Sequence, residues 1–109
     1  MAGDILIIDG VATNRIVLKV KLLASQYRVR PCATLDEARA EIAASLPDLI
    51  LLDTSNDAEQ MHAFCQSLKA DANTNLIPII ATGGFKTPRA RAAALAAGAD
   101  DFLTNPFSD

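Results

Sequence analysis

Two kinds of apolar pattern alternate along this chain. The first is the short continuous run. Ile5-Leu6-Ile7-Ile8 stops at Asp9-Gly10, Leu49-Ile50-Leu51-Leu52 stops at Asp53, and Ile77-Pro78-Ile79-Ile80-Ala81 stops near Gly83-Gly84. Runs that are apolar on both faces and bounded by turn residues suit strands buried in a parallel sheet. Two weaker strands fit around Tyr27–Cys32 and Asp101–Thr104. The second pattern has helical period. Ile16, Val20 and Leu23 share one face, as do Leu35, Ala38 and Ile42, and Met61, Phe64, Cys65 and Leu68. The Ala- and Arg-rich stretch Pro88–Ala97 reads as a fourth helix, with Pro88 in its first turn and Gly98 as its stop.

The resulting order, β-α-β-α-β-α-β-α-β, predicts a parallel sheet with helices on both faces. Right-handed crossovers leave few topologies, and a doubly wound, flavodoxin-like α/β fold with five strands in the order 2-1-3-4-5 fits this size. After Thr104, the run Asn105-Pro106-Phe107-Ser108-Asp109 reads as the approach to a fifth helix, with Ser108 or Asp109 as its N-cap. The expectation is one domain over residues 1–109, a fragment ending before the fifth helix. One face of the sheet would then lack part of its cover unless a longer chain or a partner supplies it.

Composition narrows the class. The 109 residues suit one domain, and half of them are hydrophobic, enough for a real core built mainly of Ile, Leu, Val and Ala. Ten basic against 13 acidic residues give a formal charge of −3, without the basic face that nucleic acid requires. Cys32 and Cys65 are far apart and not in a CxxC spacing, so they read as structural thiols in a reducing compartment. No apolar run approaches membrane-spanning length, and the opening Met1-Ala2-Gly3-Asp4 does not read as a signal peptide. A cytoplasmic location is expected, with no membrane partner.

The chemistry is predicted at the carboxyl ends of the strands. In open α/β sheets, ligands bind where the strand order reverses, here between strands 1 and 3. Asp9 ends strand 1 and Asp53 ends strand 3, so both are expected to face one crevice. Two carboxylates there repel unless a cation or proton lies between them, and a hard ion such as Mg²⁺ suits oxygen ligands. A carboxylate beside a bound metal can attack phosphorus to give an acyl phosphate. Taken singly, each Asp reads more simply as a strand end that caps the next helix. The pair at the switch point favours a site.

On these residues the sequence resembles the receiver domain of bacterial response regulators. The resemblance is carried by Ile5–Asp9, by Leu46-Pro47-Asp48-Leu49-Ile50-Leu51-Leu52-Asp53, by Ile77-Pro78-Ile79-Ile80, and by Gly98-Ala99-Asp100-Asp101-Phe102-Leu103-Thr104-Asn105-Pro106. It covers the whole chain, lacking only the last helix. Asn14 and the Asp-Phe-Leu-Thr-x-Pro run make it similar to receivers attached to diguanylate cyclases. The resemblance implies two-component phosphorelay signalling, with Asp53 as the phosphoryl acceptor. It implies Mg²⁺ held by Asp9, Asp53 and the backbone carbonyl of Ser55. A sensor histidine kinase or a phosphotransfer protein would be the donor, and the receiver itself would be a switch rather than an enzyme. Its own output domain, such as a diguanylate cyclase, or a second copy would be the other partner.

Against the family's pattern, three positions have changed. The second acid after strand 1 is Gly10, the Thr or Ser at the end of strand 4 is Gly83, and the Lys before the Pro after strand 5 is Asn105. Gly10 removes an acid that helps anchor the metal, so Mg²⁺ is expected to bind weakly. Gly83 removes a hydroxyl for a phosphoryl oxygen. Asn105 replaces a cation with a neutral donor, whose hydrogen bond is roughly half as strong. Losing one acid and one Lys leaves the pocket's formal charge unchanged, so the fold tolerates the change. Thr82 is adjacent to Gly83 but expected to point to the opposite face. Lys86 reads as a solvated loop residue, Asp57 as the N-cap of helix 3, His62 as a helix-surface residue and Phe102 as packing, and the Asn105–Pro106 peptide is expected to be cis. The favoured reading is a degenerate regulatory or dimerisation module, with Asp53 as acceptor if transfer occurs. An efficiently phosphorylated switch is the alternative. A flavin- or nucleotide-binding domain of the same fold ranks third, because Gly10-Val11-Ala12-Thr13-Asn14 lacks a phosphate-cradling Gly pattern.

Overall fold

The structure, a computed structural model, describes residues 3–84 and 87–104. Five strands and four helices alternate along it, and the strands form one sheet in the order β2-β1-β3-β4-β5. The predicted doubly wound α/β class is therefore observed. The chain divides into two compact units, Met1–Leu51 and Leu52–Asp109.

In the first unit, β1 (Asp4–Ile8) pairs in parallel with β2 (Arg28–Cys32), from Asp4 opposite Arg28 to Ile8 opposite Cys32. Ile5, Leu6, Ile7 and Ile8 are all buried, as a run apolar on both faces requires. Pro31 is tolerated in β2 because that strand lies at the sheet edge. The Leu46-Pro47-Asp48 segment leads into β3 (Leu49–Asp53): the Asp48 amide donates to the Asp4 carbonyl at 2.8 Å, and the Asp4 amide donates to Asp48 Oδ2 at 2.8 Å. Helix α2 (Leu35–Ala44) is N-capped by Thr34, whose Oγ1 accepts from the Glu37 amide at 3.1 Å and whose hydroxyl donates to Glu37 Oε2 at 3.2 Å. Leu35 and Ala38 form its buried face, as the periodicity predicts.

Helix α1 (Ala12–Ala24) corrects the sequence reading. Ile16, Val20 and Leu23 do share a face, but it points outward, with Ile16 and Val20 each 63% exposed. The buried contact comes from Leu18, with Leu22 half-buried. At about 100° per residue, positions 16, 20 and 23 fall within roughly 60° of one another, nearly opposite Leu18. The helix thus carries two apolar stripes, and periodicity alone does not say which one faces the core.

In the second unit, β4 (Ile79–Gly83) pairs in parallel with β5 (Asp101–Thr104), with Ala81 opposite Phe102 and Gly83 opposite Thr104. β4 starts two residues later than the apolar run suggested. Pro78 has no N–H to donate, and the Ile77 amide is already used in a turn to the Thr74 carbonyl at 3.1 Å. Helix α3 (Ala58–Ala70) buries Phe64, Cys65 and Leu68, and Asp57 caps it with Oδ1 accepting from the Gln60 amide at 3.3 Å, as expected. Thr87 caps α4 (Pro88–Ala96), a cap the sequence reading had not named, while Pro88 occupies its first turn and Gly98 with φ 112° follows its end, both as expected. Asp100, from the Gly98-Ala99-Asp100 segment, binds the start of β4. Its Oδ2 accepts from the Ile79 amide and from Lys69 Nζ, both at 2.8 Å, while its own amide donates to the Ile79 carbonyl at 2.7 Å. The expected N-cap at Ser108 or Asp109 lies outside the described residues.

Candidate functional site

The first unit positions Asp9 immediately after β1. Its amide continues the strand pairing by donating to the Cys32 carbonyl at 3.0 Å, and Oδ1 accepts from the Val11 amide at 2.8 Å. Arg15 Nη1 donates to the Asp9 carbonyl at 2.7 Å, tying the loop to α1. Asp9 is only 2% exposed. Beside it Gly10 is exposed, and a Cβ there would meet nothing nearer than the Ala33 carbonyl at 3.8 Å, so the backbone has room for a side chain.

The second unit positions Asp53 as the last residue of β3, 7% exposed. Its Oδ1 accepts from the Ser55 amide at 2.8 Å, the same two-residue turn that Asp9 makes with Val11. The next residue is held from β4: the Thr54 amide and hydroxyl both donate to the Thr82 carbonyl, at 2.8 and 3.2 Å. Gly83 closes in from the end of β4. A Cβ built on it would lie 3.0 Å from Ser55 Oγ and 3.4 Å from Thr54 Oγ1. Asp53, Ser55 and Gly83 are therefore brought together.

This geometry removes the simpler reading of the two acids. Neither is a helix N-cap: the N-cap of α1 is Val11, which makes no side-chain cap bond, and that of α3 is Asp57. Both carboxylates are instead sequestered at strand ends and fixed by backbone amides. Burying a charged carboxylate is costly unless it is compensated, so such placement is a functional signal.

One further position differs from a plain surface reading. His62 is half-buried, not a simple surface residue, and lines a cavity of about 270 Å³ together with Ser55, Gly84 and Ala90. Its helical spacing beside Met61 gave no hint of this. Thr82 is fully buried. Phe102 is half-buried in β5. Both cysteines are buried free thiols; burial pushes Cys32 up to about 11 and raises Cys65 as well, so both are poor nucleophiles. Asn105, the Asn105–Pro106 peptide and Lys86 lie outside the described residues. Among the described residues, no group of three or more His, Cys, Asp or Glu side chains gathers to hold a metal, and no helix is long and apolar enough to cross a membrane.

A five-stranded doubly wound sheet with buried aspartates at the ends of β1 and β3 defines a small α/β signalling domain of the receiver type. The family model for the response regulator receiver domain matches residues 5–109, and the chain belongs to that family. It is 35% identical over its full 109 residues to the response regulator PleD of Caulobacter vibrioides, where it covers 24% of that protein. It is 35% identical over 104 residues, 95% of the chain, to the phosphate regulon transcriptional regulatory protein PhoB of Pseudomonas aeruginosa, covering 45% of it. The chain thus spans less than half the length of either relative. Among solved structures, a putative response regulator from Chloroflexus aurantiacus superposes with a TM-score of 0.91 at 28% identity, over 99% of this chain and 88% of that one. The receiver domain of a sensor histidine kinase from Pseudomonas aeruginosa, described with a magnesium ion coordinated in its active site cleft, gives a TM-score of 0.85 at 26% identity, with the same coverage.

Proposed function

We propose that this receiver domain takes a phosphoryl group on Asp53 slowly, and serves as a regulatory or dimerisation module of a larger signalling protein. The observation that carries this reading is the buried Asp53 carboxylate, fixed by the Ser55 amide at the end of β3. In the transfer, the carboxylate attacks phosphorus, an acyl phosphate forms, and the bond from phosphorus to the donor breaks. The donor is a sensor histidine kinase or a phosphotransfer protein. The output domain is a diguanylate cyclase, a proposal supported by the similarity to PleD.

The family resemblance would have a metal held by oxygens alone: the carboxylates of Asp9 and Asp53, and the backbone carbonyl of Ser55. Such a set fits Mg²⁺, which keeps several waters and takes few protein ligands. A bound Mg²⁺ would supply positive charge to offset that of the carboxylates and of the phosphoryl group. Asp9 and Asp53 would supply the anionic donors, and each carboxylate is held within its own turn, by the Val11 and Ser55 amides respectively. Gly10 and Asn105 weaken the arrangement, the first by removing an acid and the second by removing a cation. Preorganised charge of that kind carries much of the rate in phosphoryl transfer.

The domain assignment follows the same lines. Residues 1–109 are the receiver part of a longer chain, and the outward stripe of α1 is covered by a further helix. The exposure of Ile16, Val20 and Leu23 supports this, because a helix apolar on two faces suits burial on both. The working location is the cytoplasm.

The reading is tested by the rate of labelling with acetyl phosphate and Mg²⁺, comparing the natural chain with Gly10→Asp/Asn105→Lys. The restored pair is expected to label at least about tenfold faster, since a single well-placed charge contributes that much or more. A natural chain that labels as fast as the restored one would overturn the claim of weakened transfer.

A further inference from the structure

The loss at Gly83 is not a simple deletion. A Cβ at that position would sit 3.0 Å from Ser55 Oγ, a separation that real Cβ atoms rarely show, so the Ser55 hydroxyl stands where a side chain from the end of β4 would have to go. Resting on the acceptor role of Asp53, we infer that the Ser55 hydroxyl replaces the one absent at Gly83 and donates the hydrogen bond to a phosphoryl oxygen carried by Asp53.

Three observations favour Ser55 over its neighbours. Its amide donates to Asp53 Oδ1 at 2.8 Å, so Ser55 is anchored on the acceptor carboxylate itself. It is exposed and lines the cavity beside β4 and α4, where an incoming anion has access. The other two hydroxyls are committed elsewhere: Thr54 Oγ1 donates to the Thr82 carbonyl at 3.2 Å, and Thr82 is fully buried. Gly83 and Ser55 therefore form a coupled pair. The glycine makes room for the hydroxyl, and the hydroxyl restores the group that the glycine lacks. Of the three groups changed at Gly10, Gly83 and Asn105, the hydroxyl donor is then supplied from the loop after β3.

The test uses beryllium fluoride, a phosphoryl mimic, titrated calorimetrically into the 109-residue chain at saturating Mg²⁺. The natural chain is expected to bind and Asp53→Asn is expected not to. Ser55→Ala should weaken binding about tenfold, the effect of one hydrogen bond to a charged acceptor. Binding by the natural chain with unchanged affinity in Ser55→Ala would overturn the role of Ser55 and leave the acceptor role of Asp53 standing. No binding by the natural chain would overturn both. A second measurement reads the coupling without any ligand. The backbone at Gly83, with φ 158°, disfavours a side chain in either background, so Gly83→Ala should lower the urea midpoint in both, and by more in the natural chain than in Ser55→Ala; equal losses in the two backgrounds would show that the hydroxyl does not hold that space.

Discussion

Replacing Asp100 by Ala removes the acceptor that joins α3 to the start of β4. Asp100 Oδ2 takes two bonds at 2.8 Å, from the Ile79 amide and from Lys69 Nζ. Lys69 keeps its other bond, to the Ile77 carbonyl at 2.9 Å, so the ammonium is not stranded. The Asp100 side chain is 51% exposed and that of Lys69 22%, which places the ion pair among partly screened ones. One net backbone hydrogen bond contributes about 1 kcal/mol and a partly screened pair about 0.5–1 kcal/mol, for a loss of about 2 kcal/mol. With a denaturant slope of about 1–3 kcal/mol per molar, the urea midpoint should fall by roughly 1 M. Asp100→Asn keeps an oxygen for the Ile79 amide but not the charge, so it should lose about half as much. The charge also has a pH signature. Burial alone would raise the Asp100 carboxyl, but the bonds from Lys69 and the Ile79 amide outweigh it and hold it below the usual carboxylate range. A lowered folded pKa means the contribution is fully present above the unfolded value, near pH 4, and is lost as pH falls through the folded value. The gap between the natural chain and Asp100→Ala should therefore be constant from pH 7 down to about pH 5 and shrink in stronger acid. A midpoint unchanged in Asp100→Ala, or a gap that widens in acid, would refute the reasoning.

Three other changes have definite outcomes. Asp57 caps α3 from a left-handed backbone at φ 53°, so Asp57→Ala should cost about 1–2 kcal/mol, while Asp57→Gly loses the cap but relieves the backbone and should cost clearly less in urea unfolding. Cys32 and Cys65 should resist a thiol reagent at pH 8 in the folded chain and react only once urea has unfolded it; rapid labelling without denaturant would contradict their burial. Val20→Lys should change the stability of the 109-residue chain by less than about 0.5 kcal/mol, as for other exposed positions. In a longer chain that covers the α1 stripe, the same change should cost about 2 kcal/mol or more, because the new ammonium is then buried unpaired. Equal small effects in both chains would refute the covering helix.

Which parts of the molecule could be read from the sequence follows from how local their causes are. The buried strands were legible because a run such as Ile5–Ile8 has no polar face to expose, and the turn residues after it set its end. The cap at Asp57 and the stop at Gly98 rest on a few neighbouring residues and were equally accessible. The start of β4 was missed by two residues because an apolar run does not reveal which amides a turn has already taken. The face of α1 was misread for a tertiary reason: Leu18 and the stripe of Ile16, Val20 and Leu23 satisfy the same period, and only packing chooses between them. The positions of Asp9 and Asp53 at strand ends were legible, and the N-caps of α1 and α3 fall to Val11 and Asp57 instead. The closeness of Ser55 Oγ to Gly83 depends on the separation between the loop after β3 and the end of β4, which nothing in the sequence spacing encodes.

The most direct measurement is the intact mass of the chain after incubation with acetyl phosphate and Mg²⁺, run beside Asp53→Asn. A slow gain of one phosphoryl group that requires Mg²⁺ and disappears in Asp53→Asn is expected. No gain on prolonged incubation, or a gain of equal size in Asp53→Asn, would contradict Asp53 as the acceptor.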